Sequence, residues 1–132
     1  MSHAVREGDP TTTGGVVMKA SATQQVDDRR LARMGDPVWC PVCEEVGYIA
    51  QGNPTYIDEY IAVATNGHAV RCNCEPGSHQ LIATQQSHAA DMDATIDIPP
   101  ELALQAKANA DKITLKINAG LPPSELLPAH NS

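Results

Sequence analysis

The chain contains no phenylalanine, one tryptophan and three tyrosines among its 132 residues. Aromatic side chains bury the most area per residue, so their scarcity leaves the core to Val, Ile, Leu and Ala. A short chain with such a core usually needs a staple: a metal, a disulfide or a partner. Basic residues are also few, 9 Lys and Arg against 16 Asp and Glu for a net charge of −7, and they form no long run. Nucleic-acid binding depends on neutralising phosphates with Lys and Arg, so this balance argues against that class. No segment is apolar enough to span a bilayer. Met1 to Glu7 offers no hydrophobic stretch of a cleaved secretory signal. The expectation is a chain folded in a reducing cytoplasm, where closely spaced cysteines read as metal ligands or redox groups before disulfides. No acid–base pair, nucleophile arrangement or phosphate loop emerges, so no enzyme is expected.

What the sequence has in quantity is turns, with 9 Gly and 10 Pro. Between them lie short extended pieces: Val16 to Ala20, Ala22 to Val26, Arg30 to Met34, Gly47 to Gln51, Thr55 to Ile57, Tyr60 to Ala64 and Ser78 to Thr84. Residues 1–7 are polar and are expected to fray. Asp27-Asp28 and Asp58-Glu59 read as tight turns. The pattern repeats. A shift of 32 pairs Thr23 with Thr55, Ala32 with Ala64, Gly35 with Gly67, Val38 with Val70 and Cys40 with Cys72. A shift of 27 pairs Gly8-Asp9-Pro10 with Gly35-Asp36-Pro37, and Thr13 with Cys40. An internal period of this size is an architectural signal. It predicts a mainly β, pseudo-threefold domain of short strands, closed so that strand edges are hidden. Three similar turns, from Gly8, Gly35 and Gly67, meet at one end.

The expected domain spans residues 1–88, with its core at 8–84. Residues 89–132 read as a linker and short extension. Pro99-Pro100 and Glu101 open an Ala-rich helix over about 100–111. Beyond it, Ile113, Leu115 and Ile117 alternate with polar residues and read as a strand.

The four cysteines form two half-sites about thirty residues apart, the usual spacing of structural zinc sites. Cys40 and Cys43 are separated by two residues, Cys72 and Cys74 by one, and His68 precedes Cys72 by four. A closed tetrahedral site takes four of Cys40, Cys43, His68, Cys72 and Cys74, with His68 and Cys74 as alternatives for the fourth place. A redox Cys-X-X-Cys pair needs a helix starting at the motif, which Pro37, Pro41 and Gly47 oppose. His79, His88 and His130 stand alone in sequence and are assigned to the surface. Trp39 is expected to pack around the metal loop.

Gly8-Asp9-Pro10, Leu31-Ala32-Arg33-Met34-Gly35-Asp36-Pro37-Val38, Cys40-Pro41-Val42-Cys43, Gly52-Asn53-Pro54-Thr55, Gly67-His68 and Cys72, taken in order, resemble the PAAR-domain family. Ala32-Arg33 stands where the family's Pro-Ala-Ala-Arg run would end. The resemblance implies a cone-shaped β-domain with zinc near its tip, seated on the blunt end of the trimeric spike protein VgrG of a type VI secretion system. There it would sharpen the spike, touch the target membrane only during puncture, and leave the bacterial cytoplasm with the spike. Many family members have His as a zinc ligand at the place of Thr13, and many have His at the place of Cys43. Thr is a poor zinc ligand, so the first turn is expected to have lost its metal role. Residues 89–132 would then hold an effector, a chaperone or the spike. Rival readings are a zinc-ribbon-like adaptor, disfavoured by the acidic balance, an enzyme or toxin whose activity lies in residues 89–132, disfavoured by their shortness, and a carrier of a small effector through that tail.

Overall fold

The computed structural model describes residues 2–75 and 77–120. Among the described residues, nine short strands precede one helix: β1 Val16–Val17, β2 Gln25–Val26, β3 Arg29–Arg30, β4 Pro37–Cys40, β5 Glu45–Ile49, β6 Gln51–Asp58, β7 Ile61–Val63, β8 Val70–Arg71, β9 Ile96–Asp97 and α1 Pro100–Asn118. They form a four-stranded sheet in the order β1-β4-β5-β8, a β2-β3 hairpin and a three-stranded sheet in the order β7-β6-β9. Among the described residues, no helix is long and apolar enough to cross a membrane.

The expected pseudo-threefold is written into the backbone hydrogen bonds. At each corner a glycine has positive φ: +83° at Gly8, +95° at Gly35 and +90° at Gly67. A side chain is strained in that conformation, which is why each corner keeps glycine. The three glycine amides donate to the carbonyls of Val17, Ile49 and Leu81, each at 2.8 Å. The residue after each glycine, Asp9, Asp36 or His68, donates its amide to the carbonyl three positions back at 3.1 Å. Its side chain then accepts the amide of that same residue: Arg6 to Asp9 at 2.8 Å, Arg33 to Asp36 at 2.8 Å and Thr65 to His68 Nδ1 at 2.9 Å.

Two rings tie the repeats together. The Val5 amide donates to Ala64, Ala64 to Ala32 and Ala32 to Val5, at 2.9, 2.8 and 2.8 Å. Met18 donates to Pro37, Ala50 to Ala69 and Ile82 to Pro10, all at 2.9 Å. Val5, Ala32, Ala64, Val17, Ile49 and Leu81 converge in one buried cluster, together with Val38 and Val70. No aromatic belongs to it. Small and branched aliphatics suit a narrow axis where three chain segments approach.

The structure corrects several expectations. Residues 3–6 do not fray: His3, Ala4 and Arg6 bridge to Ala89, Thr65 and Leu31, and Val5 is fully buried. This first segment bridges to Leu31 and Thr65, and Val5 completes the ring with Ala32 and Ala64. Gly52-Asn53-Pro54 does not end an extended piece, since β6 runs through it with a bulge between Asn53 and Ile57. The second tight turn falls on Glu59-Tyr60 instead of Asp58-Glu59. The segment 78–84 contributes only bridges at Gln80 and Leu81. Within the 85–97 linker, β9 adds to the edge of β6.

The C-terminal element is also different. The segment expected as a strand is helical: Ile113, Leu115 and Ile117 lie inside α1. Ala106, Ala110, Ile113 and Ile117 recur at helical spacing, and Ile113 and Ile117 pack with Ala110 on Met18, Val46 and Trp39. Leu115 points outward and is exposed. The Thr114 hydroxyl is 3.0 Å from both the Ala110 carbonyl and the Val46 amide, joining the helix to β5. Residues 121–132, the Pro-rich end of the extension, lie outside the described residues.

Candidate metal centre

The register fixes how the repeats meet at one end. Pro10 faces Val16, Pro37 faces Tyr48 and Ala69 faces Gln80. Three positions on from Pro10, Pro37 and Ala69 stand Thr13, Cys40 and Cys72, so these are equivalent places. The returning positions are Gly15, Gly47 and His79. At Gly15 and Gly47 a Cβ would run into the carbonyls of Trp39 and Arg71 respectively. The third place admits a side chain, and His79 is there.

Cys40, Cys72, Cys74 and His79 each bring one ligand atom to a common point, all within 4.8 Å of one another, and this group can hold a metal ion. Cys40 Sγ is 3.9 Å from Cys74 Sγ and 3.4 Å from His79 Nε2. Cys40 and His79 are buried, and Cys72 and Cys74 are half-buried. The Cys74 amide lies 3.5 Å from Cys72 Sγ, an N–H aimed at the sulfur. All four thiols of the chain are free.

The position of His79 revises its assignment to the surface: it is 3 % exposed. Its Nδ1 lies 2.5 Å from the Thr13 hydroxyl. Isolation in sequence hid it, because the shift of 32 places it opposite a glycine. Cys43 adjoins the group from the β4–β5 loop, next to the thiols of Cys40, Cys72 and Cys74 and the backbone of Asn73. His68, the alternative fourth donor, stands apart as the third corner acceptor. Its Nδ1 takes the Thr65 amide, and its Nε2 lies 3.3 Å from the Ala94 carbonyl and 3.2 Å from the Thr95 hydroxyl.

The thiols do not ionise independently. Burial pushes the Cys72 thiol far above the ordinary cysteine range, and crowding by the Cys40, Cys43 and Cys74 thiols adds to this against the Cys74 amide. Burial, and then the Cys40 thiol, raise Cys43. Burial opposes ionisation of Cys40 as well, but hydrogen bonds from the Cys43 backbone and thiol, the Cys72 thiol and the Val42 backbone outweigh it and hold Cys40 low. One thiolate is therefore favoured at the expense of its neighbours. A cation among them reverses that cost, because a coordinating thiol is deprotonated outright.

The surroundings brace the loops. Trp39 packs on Met18 and Val46 beneath α1. Asn73 reaches Glu45 across the β5–β8 pair.

Comparison with curated proteins gives no match, and comparison with solved structures gives none. The family described as PAAR motif matches residues 7–76, more than half of the chain, and that span carries all three glycine corners and all four cysteines. The chain belongs to the PAAR-motif family.

Proposed function

We propose that this chain is a spike-tip protein that caps the trimeric VgrG spike of a type VI secretion system. The observation that carries the reading is the cyclic hydrogen bonding of Val5, Ala32 and Ala64. A single chain that repeats the same backbone geometry three times around an axis can offer three similar faces to three identical subunits. The role is structural, with no reaction at the site. Cytoplasmic assembly and export with the spike toward a target cell follow from it. The extension is the place for an effector or chaperone, and α1 turns Leu104 and Leu115 to solvent there.

The metal we assign is one structural zinc ion held by Cys40, Cys72, Cys74 and His79. A tetrahedron with sulfur at about 2.3 Å and imidazole nitrogen at about 2.0–2.1 Å from zinc has S···S edges of about 3.8 Å and S···N edges of about 3.6 Å. The spacings of 3.9 Å for Cys40–Cys74 and 3.4 Å for Cys40–His79 fit those edges. When bound, zinc supplies a closed crosslink and no reactive position. Cys40 lies in the second repeat, and Cys72, Cys74 and His79 in the third, so these side chains clamp two repeats at the apex. Structural zinc contributes on the order of 10–16 kcal/mol of apparent binding energy, as much as the whole stability of a typical domain.

Co-purification with a VgrG trimer, with metal content measured on the same sample, tests both parts. The expected result is one chain per trimer and one zinc per chain. A chain that does not associate with the trimer overturns the spike-tip reading. Thermal melts unmoved by chelator, in protein without zinc, overturn the metal reading.

A further inference from the structure

Five donors surround a place for four. Cys40, Cys72 and Cys74 stand with His79 as one group whose ligand atoms lie within 4.8 Å of one another, and the Cys43 thiol adjoins the same three thiols as the rival for the place of His79. We infer that Thr13 settles this competition: its hydroxyl fixes the His79 ring with Nε2 toward the thiols, so that the site holds three thiolates and one imidazole and Cys43 stays outside. The inference rests on the metal reading above and goes beyond it.

The geometry runs through one hydrogen-bonded chain. His79 Nε2 faces Cys40 Sγ at 3.4 Å, and Nδ1 faces Thr13 Oγ1 at 2.5 Å. A ring nitrogen that binds a metal carries no proton, so Nδ1 carries it and donates to Thr13 Oγ1. The Thr13 hydroxyl can pass its own hydrogen on to Thr11 Oγ1, 3.4 Å away. Thr11 is itself anchored, accepting the Gly15 amide at 2.8 Å, and is buried. Thr13 thus stands at the place equivalent to Cys40 and Cys72 and contributes there as a positioning residue. Cys43 is held differently: it sits in the four-residue β4–β5 loop, 41–44, beside Glu44 at φ +54°, with the Asn73 backbone and the neighbouring thiols as its partners. A partner that locks ring orientation and tautomer favours the donor it supports, and losing one costs about 10–100-fold in metal affinity.

Full-length protein loaded with cobalt(II) provides the test, because thiolate-to-cobalt charge-transfer absorption grows with the number of thiolates bound. The wild type is expected to show three-thiolate absorption. With zinc, side-chain nitrogen NMR of the wild type should show His79 protonated at Nδ1 and metal-bound at Nε2. Thr13→Val removes the acceptor, so Cys43 enters, absorption rises to the four-thiolate level and the His79 signature is lost. Thr13→Ser keeps the hydroxyl, restores the wild-type pattern and shows that the loop tolerates substitution. In Thr13→Val with Cys43→Ser no replacement donor remains, and zinc affinity should fall about 10–100-fold. Four-thiolate absorption in the wild type overturns the inference, as does a Thr13→Val protein with unchanged absorption and an unchanged His79 signature. A wild type that takes up neither cobalt nor zinc overturns the metal reading along with it.

Discussion

His68 stands in the place of Asp36. Each follows a corner glycine, and each accepts the amide of the residue three positions back, from Thr65 at 2.9 Å and from Arg33 at 2.8 Å. Burial holds the His68 imidazole below the usual histidine range, which keeps Nδ1 free to accept. His68→Asp therefore preserves the corner bond while removing a nitrogen donor. The expected outcome is unchanged zinc stoichiometry with a loss of about 1–2 kcal/mol, from the Nε2 hydrogen bond near Ala94 and Thr95. Elemental analysis and urea denaturation check this together. Loss of the metal in His68→Asp would return His68 to the ligand set.

Asp36 gives the corner a pH dependence. Burial raises its carboxyl to about 6, against hydrogen bonds from Ser21 and the Arg33 amide and the charge of Arg33. A carboxyl raised in the folded state favours the protonated form there. Its contribution is fully present below about pH 4 and is lost as pH rises through about 6. Against Asp36→Asn, the wild type should lose relative stability between pH 4 and pH 7, on the order of 3 kcal/mol. The comparison cancels ionisation of the thiols, which both proteins share. A wild-type-minus-variant difference that is flat over this range would show that Asp36 is not raised.

Helix α1 makes a prediction that separates it from the strand expected at its end. In a strand, Ile113, Leu115 and Ile117 share one face. In the helix, Ile113 and Ile117 pack on Met18, Val46 and Trp39, while Leu115 is 68 % exposed. Ile113→Ala should cost roughly 1–3 kcal/mol, less than a full core truncation because the site is only half-buried. Leu115→Ala should fall within about 0.5 kcal/mol of wild type. Equal losses at both positions, measured by urea denaturation, would contradict the helical packing.

These contrasts show which features could be read from the sequence. The corners were legible because a positive-φ turn is kept by glycine, and Gly-Asp-Pro recurs at Gly8 and Gly35. Cys40, Cys72 and Cys74, which the fold brings together, were legible as closely spaced cysteines. The buried N-terminal segment had a signal too. Extending the shift of 27 backward sets Ala4-Val5-Arg6 against Leu31-Ala32-Arg33, an apolar pair followed by arginine. His79 had none, since its equivalents Gly15 and Gly47 have no side chain to compare. The helix end was ambiguous: the alternation of Ile113, Leu115 and Ile117 satisfies period two, while Ala106, Ala110, Ile113 and Ile117 satisfy the helical period. Packing against Met18 and Val46 decided between them, and that partner is remote in sequence.

The two hairpin tips differ in how well their residues suit them. Val26 pairs with Arg29 and Asp58 with Ile61, so each loop has two residues. Both residues of each loop have positive φ: 54° and 64° at Asp27 and Asp28, 46° and 73° at Glu59 and Tyr60. Such turns favour Asn-Gly or Asp-Gly, and Asp tolerates the left-handed region better than Glu or Tyr. A non-glycine residue there costs about 1–2 kcal/mol, and Tyr60 recovers none of it by packing, being 99 % exposed. Glu59→Asn with Tyr60→Gly should stabilise the protein by about 1 kcal/mol after the added unfolded-state entropy of glycine. The melting temperature should rise by about 2–5 °C. Asp28→Gly should gain less, because its starting residue is already tolerated. A double variant no more stable than wild type would mean that Tyr60 holds its conformation without strain. Greater stability combined with weaker capture of a VgrG trimer would instead place this exposed tyrosine among the docking residues.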